Sequence, residues 1–469
     1  MPIKTTTKTL DSFARNIPWD AMPKTFRDAV TLTRVLGINH IWIDSLCIVQ
    51  DDDNDWAEQS AQMARIYGSS FLTISATASS NGDGGLFRTP RQDPKLLVTA
   101  AKGSRKVSIV ARRVKDIRYH KPQNSPKGEL PLFPLTRRAW ALQETILSKR
   151  IVYFLDDEIG WQCLGSWLCE CGETASYSDQ PFWSDSNFYG DPDTSSVNLW
   201  MSIVERYSNC ALSKSKDKLP ALSGTAQALL ARTSLDVDLK KYYAGLWEFQ
   251  LVDQLLWAAS ADGHPKSKVV PYRAPTWSWA AIDTPVAFDN RVWGLLELGY
   301  RLLHEARVLS VHYELATADQ YGQVSNSHLE MSTTVFPAYV ELSDNNSSLQ
   351  ERPELRFPRT FKGPSEQYQS FLNLRWFISI TLDYPYEEAF PTLNTVTCAI
   401  LRCEVEIVAK TPSGQRDCLL DVLLLKSTSS SPETFERVGV GLVHNSVSPQ
   451  DFEILQSTLQ QSQTVLKVI

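Results

Sequence analysis

The sequence predicts three regions: an α/β N-terminal domain with a mostly parallel sheet, a helical middle segment, and an antiparallel β-rich C-terminal region. Three observations carry this. Up to about residue 165, short apolar runs rich in β-formers alternate with segments of helical period. From Leu199 to Ala231 the period is helical throughout. From about residue 300, six β-rich runs are separated by polar loops. At 469 residues the chain exceeds one ordinary domain. The expected divisions are 1–170, 171–295 and 296–469.

In AMPKTFRDAVTLTRVL, residues 21–36, Phe26, Ala29, Val30 and Thr33 share one helical face, and Gly37 is placed to end the helix. INHIWID follows as a continuous apolar run, the pattern of a central parallel strand covered on both faces. Asp55, with Glu58 three residues on, reads as a capping box for a helix bearing Trp56, Ser60, Met63 and Tyr67. SSFLTISATAS is the next strand, then KVSIVARRV. A helix from Thr136 to Leu147 leads directly into the strand RIVYFL. Residues 172–195 are polar and aromatic, a loop or linker. The C-terminal strands are ARVLSVHYEL, HLEMSTTVFPAYVEL, RWFISITLDY, TCAILRCEVEIVAK, DCLLDVLLLK and ERVGVGLVH, with SDNNSSLQERPE and KSTSSSPET as loops.

Composition removes several function classes. With 43% hydrophobic and 21% charged residues the chain can bury a core. Net charge is −6 without a dense Lys/Arg cluster, which argues against nucleic acid. No apolar run reaches membrane-spanning length, and MPIKTTTKTLDSF lacks the apolar core of a signal peptide, so a cytoplasmic protein is expected. Of eight cysteines, Cys163, Cys169 and Cys171 lie close together but form no C-x-x-C pair. Reduced thiols and no metal or cofactor are expected.

Two places invite chemistry. Asp44 ends the INHIWID run, and open α/β sheets place ligands at strand ends. Its alternative is a structural carboxylate with a local partner. Cys47 is expected to be a small buried thiol. In PLTRRAWALQETILSKRIVYF, Trp140, Glu144 and Leu147 share a helix face. A glutamate on an apolar stripe is desolvated, which raises its pKa and suits acid/base or oxocarbenium-stabilising work. The alternative is an ion pair with Arg137 or Arg138. Trp277 and Trp279, in YRAPTWSWAAID, alternate as in a strand and read as packing before a stacking site.

LGINHIWIDSLCIVQDDDNDWAEQSAQMARIYGSSFLTISA, then GLF at 85–87, then PLFPLTRRAWALQETILSKRIVYF resemble the heterokaryon incompatibility (HET) domain of filamentous fungi over about residues 22–165. WMSIVERYSNCALSKSKDKLPALSG, YYAGLWEFQLVDQLLW and YRAPTWSWAAID resemble the segment that commonly follows. The resemblance implies a fungal cytoplasmic effector of non-self recognition that promotes regulated cell death. HET domains are likened to TIR domains, whose fold is flavodoxin-like and some of which cleave NAD with a helix glutamate. RRAWALQE is similar to that TIR pattern. By this resemblance Glu144 is the candidate catalytic residue, Asp44, Trp140 and Arg138 are candidate substrate-binding residues, and NAD is the candidate substrate.

The family's usual opening strand, with a pattern like Y-x-A-L-S-Y-x-W-G, has no counterpart here. A misplaced start and a truncated paralogue both explain this. The alternative function is a catalytically inactive module that signals by self-association or by binding a partner incompatibility protein. An unrelated role that merely carries the domain is the third reading. No G-x-x-x-x-G-K-[ST] motif is present.

Overall fold

A computed structural model of the chain describes residues 3–87, 96–102, 105–111, 133–164, 166–170, 192–231, 233, 241–260, 266–288, 300–343, 352–356, 377–391, 395–406, 415–428 and 431–469. The linker expected at 172–195 falls mostly outside them. The chain forms two compact units. The first takes residues 1–195, 210–213 and 220–232; the second takes 196–209, 214–219 and 233–469.

The first unit starts with α1 (Leu10–Arg15) and α2 (Lys24–Val35). Ala29 and Thr33 of the expected face are buried, with Phe26 and Val30 half-buried. Two backbone bonds stop α2: Ile38 N–H donates to Thr33 O at 3.1 Å and Gly37 N–H to Arg34 O at 3.0 Å. This double closure needs a left-handed residue, and Gly37 has φ +71°. The one-turn α3 (Asp44–Cys47) and the long α4 (Asp53–Ser69) follow, then β1 (Thr73–Ser75), β2 (Leu96–Lys102) and β3 (Arg105–Ala111). The unit continues with α5 (Ala139–Leu147), β4 (Arg150–Phe154), β5 (Ile159–Cys163) and β6 (Ser166–Cys169).

The main sheet has the order β1-β4-β5-β6. Only β1–β4 is parallel; β4–β5 and β5–β6 are antiparallel hairpins. The expectation of a mostly parallel sheet is therefore corrected: after β4 the chain turns straight back, and such short connections permit only antiparallel pairing. Both faces of β4 are covered. Ile151, Tyr153 and Leu155 join one apolar cluster, and Phe154 with Val152 joins another built on Ala29 and Leu86.

Residues 38–43 form neither helix nor strand. Their residue types favour β structure, yet no described strand offers a ladder. Two other expectations change. The cap of α4 is Asp52, whose carboxylate accepts from Asn54 N–H at 2.9 Å and Asp55 N–H at 3.3 Å. Cys169 is disulfide-bonded, so the thiols are not all reduced.

The second unit begins with α6 (Pro192–Ser208), while α7 (Pro220–Leu230) returns to the first. Then come β7 (Tyr242–Tyr243), β8 (Leu246–Trp247), α8 (Leu251–Gln254), β9 (Trp257–Ala259) and β10 (Val286–Phe288). Trp277 and Trp279 lie in no strand; Ser278 caps a 3-10 turn over Trp279–Ala281. Both rings are fully buried. Trp279 and Trp200 each donate to Gly245 O at 2.9 Å. The tryptophans of this segment are core.

The β-rich region is confirmed. It comprises β11 (Tyr300–Glu305), β12 (Arg307–Leu315), β13 (Val324–Ser343), β14 (Arg352–Arg356), β15 (Phe377–Leu382), the short α9 (Tyr386–Ala389), β16 (Thr395–Glu406), β17 (Arg416–Thr428), β18 (Ser431–Val447), α10 (Pro449–Gln461) and β19 (Gln463–Val468). The sheet order is β11-β16-β17-β18-β19-β13-β12, and an extra β13–β16 pairing closes β16, β17, β18, β19 and β13 into a ring. Every pairing is antiparallel except β18–β19. The segment KSTSSSPET is largely strand, since β17 runs to Thr428 and β18 begins at Ser431. Phe452, Leu455 and Leu459 of α10 pack into the same apolar core as Cys398, Ile400, Leu420 and Val422. Arg437, fully buried, donates to Asp383 Oδ2 at 2.9 Å, Leu255 O at 2.7 Å and Trp257 O, with its guanidinium 3.3 Å from the Trp257 ring centroid.

Candidate functional site

The acids after the apolar run each have a local task. Asp51 accepts from Thr7 N–H at 2.7 Å and Thr7 Oγ1 at 2.9 Å. Asp52 caps α4. Asp55 Oδ2 accepts from Val49 N–H at 2.7 Å. Thr5 completes the clamp: its N–H donates to Ser45 O at 2.8 Å, its hydroxyl to Leu46 O at 2.6 Å, and its carbonyl accepts from Gln50 N–H at 2.9 Å. The loop 44–51 is thus held from the N-terminal segment and from α4.

This clamp presents Asp44. It starts α3, not the end of a strand, and its Oδ1 accepts from Ser45 N–H at 2.7 Å. Asp44 is exposed, which leaves its carboxylate open to solvent. Cys47, expected to be buried, is exposed at the end of α3. Desolvation and then the Asp44 charge push its thiol up, the opposite of an activated nucleophile.

The second half of the site comes from α5. A 3-10 turn, Leu135–Arg137, leads into it, and Arg138 is extended. Ala211 fixes this start: Ala139 N–H donates to Ala211 O at 3.0 Å and Ala211 N–H to Arg137 O at 2.7 Å. The far end is fixed as well. Ser148 Oγ donates to Glu144 O at 2.7 Å and lies 2.7 Å from Thr73 Oγ1 on β1.

Between these anchors stands Glu144, with intermediate surface exposure. Desolvation, followed by the Asp44 charge, pushes its carboxyl from 4.5 up to about 7. Arg138 and a hydrogen bond donated by Tyr67 pull it back down. Tyr67, near the end of α4, is itself raised well above its usual value by burial, Glu144 and Asp44 in that order.

Asp44 and Arg138 therefore both act on the Glu144 carboxyl. Trp140, on the same helix, meets Trp56 of α4 edge-on at 6.3 Å between centroids. Trp42 meets Tyr67 edge-on at 5.7 Å. The sequence did not mark Tyr67 or Trp42 as site residues. The signal available for Tyr67 was its place on the Trp56–Met63 stripe, since a tyrosine there buries a hydroxyl that needs a partner.

Glycosidic chemistry is within reach of this arrangement. It offers a carboxyl poised near neutrality, a second carboxylate, a phenol and a guanidinium. Among the described residues no group of three or more His, Cys, Asp or Glu side chains is arranged to hold a metal ion. A cavity of about 300 Å³ lies at α4, α5 and α7, with Ala64, Leu147, Leu164, Ala228, Lys149 and Gln227 among its lining residues. Its lining is mainly apolar, so the titrating cluster, not this cavity, is the place for chemistry. Among the described residues no helix is long and apolar enough to cross a membrane.

A family model described as Heterokaryon incompatibility protein (HET) matches residues 3–144. No curated protein and no solved structure matches the chain.

Proposed function

Taking residues 3–144 as a heterokaryon incompatibility (HET) domain, we propose that the chain is a cytoplasmic effector of fungal non-self recognition that promotes cell death by TIR-like hydrolysis of NAD at Glu144. The observation that carries this reading is the Glu144 carboxyl, raised to about 7 by desolvation and by the Asp44 charge, with Tyr67 and Arg138 beside it. In the proposed step water displaces nicotinamide from the ribose. The electron pair of the C–N bond leaves with neutral nicotinamide, so no acid is needed for departure. The cation left on the ribose is stabilised by the Glu144 carboxylate, which also accepts a hydrogen bond from the 2′-hydroxyl. Water then adds, giving ADP-ribose and a proton. Arg138 favours the ionised form of Glu144, and Tyr67 orients it.

The test is NAD consumption by the purified chain beside Glu144→Gln. The expected loss is at least about 100-fold. Wild-type turnover rises as pH passes upward through about 7, because the carboxylate is the working form. Equal turnover by wild type and a folded Glu144→Gln would sink the reading.

A second reading, an inactive self-associating module, is favoured by one feature: β1 lies at the end of its sheet, with one side unpaired among the described residues. It predicts concentration-dependent assembly that Glu144→Gln leaves unchanged, read by sedimentation velocity.

A further inference from the structure

Gln143, next to Glu144 on α5, is fully buried. Its Oε1 accepts from Thr225 N–H of α7 at 3.2 Å. Its Nε2 has no hydrogen-bond partner, and neither does the buried Thr225 Oγ1 beside it. Stability alone does not explain this. An apolar side chain of the same length would fill the space without leaving a buried donor unpaired.

Gly224 shows how tightly α7 is set. A Cβ there would stand 2.8 Å from Ala64 Cβ, 3.1 Å from Gln143 Oε1 and 3.2 Å from Leu147 Cδ1. So α7 touches α4, which carries Tyr67, and α5, which carries Glu144. Successive residues of a helix point about 100° apart. A latch on Gln143 therefore fixes the rotation of α5, and with it the direction of Glu144. Ala211 fixes the start of the same helix. Both anchors come from beyond the family match at 3–144.

We propose that Gln143 is a positioning residue: latched to α7 through Thr225, it sets where the Glu144 carboxyl stands relative to Tyr67, so that residues 210–213 and 220–230 complete the HET-domain site. This rests on Glu144 being the reactive group. Three other groups face that carboxyl: Tyr67 from α4, Asp44 from α3 and Arg138 at the start of α5. A helix that rolls changes all three relations at once.

The test is Gln143→Met in the full chain, which keeps the length and removes the amide. The readouts are thermal stability, NAD turnover, and the Glu144 midpoint, taken as the fluorescence titration present in wild type and absent in Glu144→Gln. The expected result is unchanged or higher stability, with the midpoint moving from about 7 towards 4.5 by about one pH unit or more. Turnover falls with it. Gly224→Ala, which forces α7 outward, is expected to move the midpoint the same way. A folded Gln143→Met with an unmoved midpoint overturns the proposal. So does an unfolded one, since Gln143 is then a plain structural anchor. A moved midpoint without NAD turnover in any form keeps the positioning role and removes the NAD reading.

Discussion

Glu144→Gln is expected to make the folded chain more stable at pH 8 but not at pH 4.5. Below pH 4.5 the carboxyl holds its proton in both folded and unfolded chains. Between 4.5 and about 7 the unfolded chain releases the proton and the folded one keeps it, so stability falls as pH rises. Above about 7 both are ionised and the loss is complete. At about 1.4 kcal/mol per pH unit, the interval from 4.5 to about 7 amounts to about 3.5 kcal/mol. Solvent reaching the partly exposed side chain reduces this to about 2–3 kcal/mol. Glutamine keeps an oxygen for the Tyr67 hydroxyl and cannot ionise. Urea unfolding of both proteins at pH 4.5 and pH 8 measures the effect, because the difference between them cancels every other titrating group. A wild-type-minus-variant difference that is the same at both pH values would refute the argument.

Two further outcomes concern the second unit. Asp383→Ala strands the fully buried Arg437 guanidinium and is expected to cost about 3–5 kcal/mol, read by urea unfolding. Gly245→Ala is expected to destabilise by about 1–3 kcal/mol from the backbone at φ +101° alone, with a further loss because its Cβ would stand 2.6 Å from Trp279 Nε1; a thermal melt measures it.

Much of the local structure was legible because its causes are local. The α2 face and its Gly37 stop follow from spacing and from one residue type, and so do β4 and the C-terminal strands. What failed depends on partners distant in sequence. INHIWID has the residues of a strand, yet a strand exists only where another offers its hydrogen bonds, and none among the described residues does. Asp52 and Asp55 are equally good caps on paper; Asp55 is diverted to Val49 N–H by the fold of the loop. Glu144 was visible as a misfit on an apolar stripe. Tyr67, which hydrogen-bonds it, and Gln143, which answers to a helix some eighty residues later, were not, because nothing near either residue in the chain announces the partner.

The division of the first unit bears on how the protein is made. Residues 3–144 leave the ribosome well before residues 220–232, which belong to the same unit. At 5–20 residues per second, synthesis of residues 145–232 takes on the order of 4–20 s. Until α7 is made, Gln143 lacks its Thr225 N–H partner. A nascent chain, or a fragment cut short in this stretch, carries the whole matched segment 3–144 before it carries the helix that Gln143 bonds. Maturation of the N-terminal unit is thus timed by the translation of sequence far downstream.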